Sequence, residues 1–88
     1  MTHAETVAAA ADLDELAEAL NAAEADFFAA QSNGVNGLLM DEYFGIDLTN
    51  LPRWGNPPTD TEGLFSWDRQ GRVLERGGNR WIVAAPAE

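Results

Sequence analysis

Glycine and proline are absent from residues 1–33 of this 88-residue chain, whereas residues 34–88 contain all eight glycines and all four prolines. Alanine, leucine and glutamate, which favour helices, dominate the first part. Within residues 4–31 the apolar residues recur at spacings of three and four and form one helical stripe: Leu13, Leu16, Leu20, Ala23, Phe27 and Ala30. The sequence therefore predicts an amphipathic helix followed by a half built from turns and short elements.

The start of this helix has two suitable N-caps, Thr6 and Asp12. With Asp12 as the cap, Glu15 would stand at the acidic position of a capping box. The sequence leaves open whether residues 4–11 form a separate short helix or join the main one. Glu24 lies at the edge of the apolar stripe, where it either reaches solvent or meets an arginine from the second half of the chain.

Residues 32–37, SNGVNG, predict the end of the helix, because asparagine and glycine tolerate left-handed backbone. Helical spacing of Leu38, Leu39, Tyr43 and Phe44 then favours a short second helix over 38–44, ended by Gly45, with a strand as the alternative. A Pro-rich crossover over residues 49–62 follows, and its Leu51 and Trp54 indicate an ordered connection.

The last part predicts a three-stranded β-meander over residues 63–85. The expected strands are 63–67, 72–76 and 80–85, joined by the turns DRQG and GGN and ended by Pro86. Alternation places Phe65 and Trp67 on one face of the first strand, with Leu64 and Ser66 on the other, and places Trp81 and Val83 together on the third strand. The segment WDRQGRVLER resembles one unit of the tyrosine-aspartate repeats of bacterial secreted repeat proteins, which implies shared turn chemistry.

These elements predict an α+β fold. The N-terminal amphipathic helix and the short second helix would pack on the apolar face of the C-terminal three-stranded antiparallel meander, because such a sheet needs a cover. A chain of this length makes one domain, 1–88, with an acidic helical half over 4–48.

Charge is divided unevenly along the chain, whose net charge is −10. Residues 1–48 contain ten acids and no lysine or arginine, whereas residues 49–88 contain five acids and five arginines. Such a chain is a poor partner for nucleic acid or anionic membranes and a good partner for a basic protein surface. No apolar run approaches the ~20 residues of a membrane span, the N-terminus does not resemble a signal peptide, and cysteine is absent, so a cytoplasmic protein is expected.

Few residues could perform catalysis. His3 is the only histidine, cysteine and lysine are absent, and Ser32 and Ser66 have no nearby base in the sequence. Asp60, Glu62 and Asp68 lie near tryptophans, but turn capping explains two of them equally well. The sequence thus predicts no enzyme, no cofactor and no metal site, since Asp12 and Asp14 would point away from each other on a helix.

The acidic residues opposite the apolar stripe form the first candidate site. A row along the helix is formed by Asp14, Glu15, Glu18 and Asp26, with Asp12 at its margin. Asp41, Glu42 and Asp47 could extend the same negative surface. Acids one helical turn apart (~5.4 Å) roughly match the spacing of phosphates along one nucleic-acid strand. The alternatives are a solvated helix face, or neutralisation of these acids by Arg69, Arg72, Arg76 and Arg80 within the fold.

Arg53 and Trp54 form the second candidate site, because arginine and tryptophan are common anchors of protein interfaces. The alternative is that Trp54 fills the core or covers the end of the sheet. Both candidates indicate a non-catalytic protein-binding module whose partner has a basic surface.

The overall profile of a short, cysteine-free, strongly acidic domain without a catalytic set is similar to that of anti-CRISPR proteins and other DNA mimics of phages and mobile elements. That resemblance implies an inhibitor that blocks the nucleic-acid-binding surface of a CRISPR effector or another nucleic-acid enzyme. The alternative is a structural or accessory subunit, or a homodimer, that associates through the stripe of Leu13, Leu16, Leu20 and Phe27. A carboxylate-only hydrolase or transferase is a third hypothesis.

Overall fold

Three helices precede a three-stranded sheet in the computed structural model, which describes residues 2–34, 37–78 and 80–85. The helices are α1 (His3–Ala8), α2 (Leu13–Ser32) and α3 (Met40–Phe44). The strands are β1 (Leu64–Trp67), β2 (Val73–Gly77) and β3 (Arg80–Ala84), antiparallel in the order β1-β2-β3. The predicted α+β architecture is confirmed.

The N-terminal segment forms two helices, which answers the question that the sequence left open. Thr2 caps α1 in a capping box with Glu5, while Asp12 caps α2 by accepting a hydrogen bond of 2.8 Å from the backbone N–H of Glu15. Thr6 is not a cap, since its hydroxyl donates to the backbone carbonyl of Thr2. Each helix therefore has its own start signal, and α1 packs beside α2.

The apolar stripe of α2 lies in the core as predicted. Leu13, Leu16 and Leu20 are fully buried, and Ala30 at the end of the stripe is half-buried. The stripe belongs to one buried cluster with residues from the other elements: Val7, Met40, Ile46, Leu51, Leu74 and Trp81. Burying a leucine side chain contributes about 2 kcal/mol, so this cluster is the main source of stability.

The predicted second helix is present, but it begins at Met40 rather than at residue 38. Gly45 ends α3 with a φ of +70°, as expected. Leu38 and Leu39 precede the helix and are exposed, and Tyr43 is exposed as well, whereas Met40 is buried. Leu38 and Leu39 therefore do not share a helical face with Tyr43 and Phe44, because they lie before the first turn.

The first hairpin turn follows its sequence signal. Asp68 accepts hydrogen bonds from the backbone N–H groups of Gln70 and Arg72, and Gly71 adopts a φ of +81° that favours glycine. The second turn was predicted over 77–79, and its residue 79 lies outside the described residues, as does Pro86.

The predicted faces of β1 were partly wrong, because a β-bulge shifts the alternation. Leu64 pairs with Glu75 while Ser66 pairs with Leu74, so Phe65 is the extra residue. Ser66 is consequently fully buried, and its hydroxyl donates to the carbonyl of Pro52. Trp67 follows on the other face, whereas Phe65 contacts Trp81 on the core side with ring centroids 4.8 Å apart.

Candidate partner-binding surface

The acids predicted to line the outer face of α2 are all exposed: Asp12, Asp14, Glu15, Glu18 and Asp26. Helix geometry explains this, because the stripe on the opposite side faces the core. The five side chains nevertheless differ in what they contact.

The two flanks of the row are paired within the fold. Asp14 Oδ2 lies 3.1 Å from Arg72 Nη1, and Arg72 Nε donates to Asp68 Oδ2 at 2.7 Å. The hydrogen bonds from Arg72 to Asp68 and then to Asp14 raise the pKa of this guanidinium. On the other flank, His3 Nε2 lies 2.5 Å from Asp26 Oδ2. The predicted neutralisation by arginine therefore holds for Asp14.

The centre of the row has no such partner. Glu15 and Glu18 make no ion pair or side-chain hydrogen bond within the described residues. Both line a cavity of about 270 Å³ in the groove between α1 and α2, with Thr6, Ala10 and Ala22 among its other walls. Glu15 and Glu18 thus carry uncompensated negative charge at the centre of this face, while Asp12 at its margin caps the helix without an ion pair.

The acids of α3 lie beside the C-terminal half of α2, on which α3 packs. Asp41 is half-buried and lines a separate cavity with Glu24 and Phe28, which shares no residue with the cavity at Glu15 and Glu18. Glu42 is exposed, and its Oε1 accepts a hydrogen bond from the backbone N–H of Leu39. These acids mark a second negative region near the C-terminal half of α2.

Arg53 and Trp54 are held by the edge of the sheet. Arg53 is exposed, its Nε donates to the carbonyl of Phe65 at 3.2 Å, and its guanidinium lies 4.9 Å from the ring centroid of Trp67. Trp54 is half-buried against the core, and its backbone N–H donates to the carbonyl of Trp67. Trp54 lines a cavity of about 280 Å³ together with Asp12, so part of the indole borders the start of the acidic helix.

Glu24 meets an arginine from the second half of the chain, which is one of the two alternatives that the sequence left open. It is buried, and its Oε1 accepts hydrogen bonds from Arg76 Nη1 and from the indole Nε1 of Trp81 at 3.3 Å. The Arg76 guanidinium also lies 5.1 Å from the centroid of the Trp81 ring. A glutamate at the edge of a helical stripe was the sequence signal for this contact.

Sequence reasoning missed two features of this region. Asn21 joins α2 to β3, because its side-chain amide bonds both the N–H and the carbonyl of Trp81, at 2.8 and 3.0 Å. Phe28 is exposed and borders the same cavity as Leu38 and Leu39. Spacing alone could have placed Phe28 just outside the buried stripe.

The remaining carboxylates serve local turns. Asp60 Oδ1 accepts a hydrogen bond from the backbone N–H of Glu62 at 2.9 Å, and Asp68 holds the hairpin turn. Among the described residues no group of three or more His, Cys, Asp or Glu side chains could hold a metal ion, and no helix is long and apolar enough to cross a membrane.

Comparison with known proteins gives no relative for this surface: no family model, no curated protein and no solved structure matches the chain.

Proposed function

We propose that this protein is a small, non-catalytic binding module whose acidic side occupies a basic surface on a protein partner. In its sharpest form it is an inhibitor of the anti-CRISPR or DNA-mimic type, made by a phage or mobile element, and it blocks the nucleic-acid-binding surface of a CRISPR effector or another nucleic-acid enzyme. The partner recognises protein carboxylates in place of phosphates.

One observation carries this proposal. Among the described residues, Arg72 and Arg76 are engaged by the acids Asp14, Asp68 and Glu24 where the helix meets the sheet. Glu15 and Glu18 remain without a cationic partner on the outer face. Because the chain has a net charge of −10, this face attracts a basic groove and repels nucleic acid.

The acidic surface available to a partner is smaller than the row of acids that the sequence predicts. The sequence predicts one row from Asp12 to Asp26, but Asp14 is engaged with Arg72 and Asp26 with His3. Glu15 and Glu18 are therefore the charges most available to a partner. Trp54 lines a separate cavity with Asp12 and supplies an apolar contact at the start of α2.

The alternative hypothesis needs the leucine stripe of α2 to be on the surface, but this stripe is buried. Leu13, Leu16 and Leu20 are fully buried within the chain and Phe27 is 5% exposed. A partner helix could reach them only after the domain opened, which would cost most of its stability. A structural or accessory subunit would have to use a different surface.

The test compares charge reversal at two places. The tagged wild-type chain is incubated with nuclease-treated bacterial lysate, and captured proteins are identified and purified. We expect to capture a nucleic-acid-binding protein, and we expect the chain to compete with nucleic acid for binding to it. The Glu15→Lys/Glu18→Lys variant should not capture this protein.

The matched control is Glu62→Lys/Glu75→Lys, which changes the net charge by the same amount at exposed positions away from α2. Loss of binding in both variants would mean that only net charge matters. Capture of a partner with no affinity for nucleic acid would contradict the inhibitor proposal.

A further inference from the structure

A cavity of about 370 Å³ opens where the C-terminal half of α2 meets α3 and β2. Its apolar walls include Phe28, Leu38 and Leu39. The polar side chains that line it are Glu24, Gln31, Asp41 and Arg76. The Glu15/Glu18 cavity shares none of these residues, so this cavity is a separate feature of the surface.

Three of the five large apolar residues that are exposed in the described part of the chain line this cavity. Leu39 is 65% exposed, Leu38 43% and Phe28 38%, and Tyr43, which contacts Phe27, is 40% exposed beside them. Single exposed apolar residues are ordinary, but a contiguous group bordering a concave site marks a place where another molecule binds.

A nearly buried carboxylate lies in the same cavity. Glu24 is 3% exposed, and its Oε1 accepts both the Arg76 and the Trp81 hydrogen bonds. Its Oε2 accepts no hydrogen bond from any described residue, and this oxygen is not completely buried. One carboxylate oxygen of this cavity-lining residue therefore has capacity for a further hydrogen bond.

The charges around the cavity favour a cation. Glu24 offsets the single arginine in the wall, and Asp41 then leaves the site with a net negative charge. Glu42 on the adjacent turn of α3 adds another exposed carboxylate. A second copy of this chain would bring like charges together, since each copy carries −10, so self-association is disfavoured here.

We propose that this cavity binds a lysine or arginine side chain of a basic partner segment that also presents an apolar residue. The ammonium or guanidinium group donates to Glu24 Oε2 and Asp41, while its aliphatic stem and the neighbouring apolar side chain pack on Phe28, Leu38 and Leu39. This inference rests on the proposed basic partner and adds a second, partly apolar contact to the acidic face of α2.

A peptide titration tests the cavity directly. The probe is acetyl-Gly-Leu-Lys-Leu-Arg-Gly-amide, followed by ¹H–¹⁵N NMR of the whole chain. We expect chemical-shift changes confined to the residues around Phe28, Leu38, Leu39 and Asp41. Two control peptides, with Lys and Arg replaced by Glu or with both Leu replaced by Ser, should leave the spectrum unchanged. Shifts scattered over the surface, or equal shifts with the acidic peptide, would overturn the inference.

Matched variants assign the contact to the cavity. Leu39→Ser removes an exposed apolar group at its rim and should weaken peptide binding about tenfold, the effect of losing one buried leucine contact. Ile82→Ser makes the same chemical change at an exposed position on the other face of the sheet and should leave binding unchanged. Asp41→Asn should weaken binding of the basic peptide without unfolding the chain. Equal affinities for Leu39→Ser and the wild type would exclude the cavity as the site.

The outcomes separate this inference from the proposed function. A captured partner that is lost in Glu15→Lys/Glu18→Lys but retained in Leu39→Ser would overturn the cavity site and leave the proposed function standing. Peptide binding at the cavity, with no nucleic-acid-binding partner captured, would support the cavity site and overturn the proposed function. A dimer seen by sedimentation velocity and dissolved by Leu39→Ser would show that a second copy covers the cavity, and would overturn the inference.

Discussion

On the side of α2 that faces the sheet, Asn21 and Glu24 are both bonded to β2 or β3, whereas on the outer side Glu15 and Glu18 have no side-chain partner within the described residues. Both faces carry acidic side chains, yet at these four positions only the inner face contributes polar side-chain contacts to the fold. Burial makes the difference, because an unpaired polar group is costly only where water cannot reach it. The inner face therefore determines stability, and the outer face is free to serve binding.

The largest expected effect comes from the apolar core of the inner face. Leu20→Ala should lower the free energy of unfolding by about 3 kcal/mol, because it removes a fully buried side chain and leaves a cavity. Glu18→Ala, two residues earlier on the outer face, should change it by less than about 0.5 kcal/mol. Urea denaturation followed by tryptophan fluorescence measures both. Similar losses in the two variants would contradict the division between the faces.

The next effect comes from the buried carboxylate. Glu24→Ala leaves the Arg76 guanidinium and the Trp81 indole N–H without their acceptor, and should cost about 2 kcal/mol because Arg76 can still reach water. Glu24→Gln retains an acceptor and should lose less. The same denaturation experiment tests this order, and an Ala variant as stable as the Gln variant would show that the contact contributes little.

A smaller loss should follow from cutting the link between α2 and β3. Asn21→Ala removes two hydrogen bonds to the backbone of Trp81 and should cost about 1 kcal/mol. Amide hydrogen exchange gives a local measurement, since the N–H of Trp81 should exchange faster in the variant. Unchanged protection of that amide would mean that β2 alone holds the strand.

The outer face should tolerate charge reversal. Glu15→Lys/Glu18→Lys should lower the free energy of unfolding by less than about 1 kcal/mol, mainly because Glu15 lies in the first turn, where the helix dipole favours acids. The far-UV circular dichroism spectrum should match that of Glu62→Lys/Glu75→Lys. An unfolded spectrum for the first variant alone would show that the outer acids are structural.

The smallest expected effect is a pH dependence of α1 that comes from its capping-box acid, Glu5. The backbone N–H of Thr2 and then its hydroxyl lower the pKa of Glu5. A lowered folded-state pKa favours folding above the unfolded value of about 4.3, and this contribution is lost as pH falls through the folded pKa. Amide shifts of α1 should therefore report loosening in acid, and Glu5→Gln should remove that pH dependence. A transition that persists in Glu5→Gln would assign it to another group.

Local chemistry explains what could be predicted from the sequence. The periodicity of α2, the Asp12 cap, the glycine that ends α3 and the Asp68 turn all depend on residues within a few positions of each other. The acidic row was likewise readable, because helix geometry alone places its residues on one face. The same reasoning placed the start of the second helix at residue 38, two residues before the observed start at Met40.

The sequence by itself determined which segments become helix, turn and strand, and that the outer side of α2 is acidic. Only the tertiary structure decided which charges are neutralised, because Asp14 and Arg72 are 58 residues apart and Glu24 and Arg76 are 52 apart. The bulge at Phe65, the burial of Ser66 and the cavity beside α3 also depend on which strand and loop pack together. Contacts between distant residues are set by the packing of whole elements, so no local pattern encodes them.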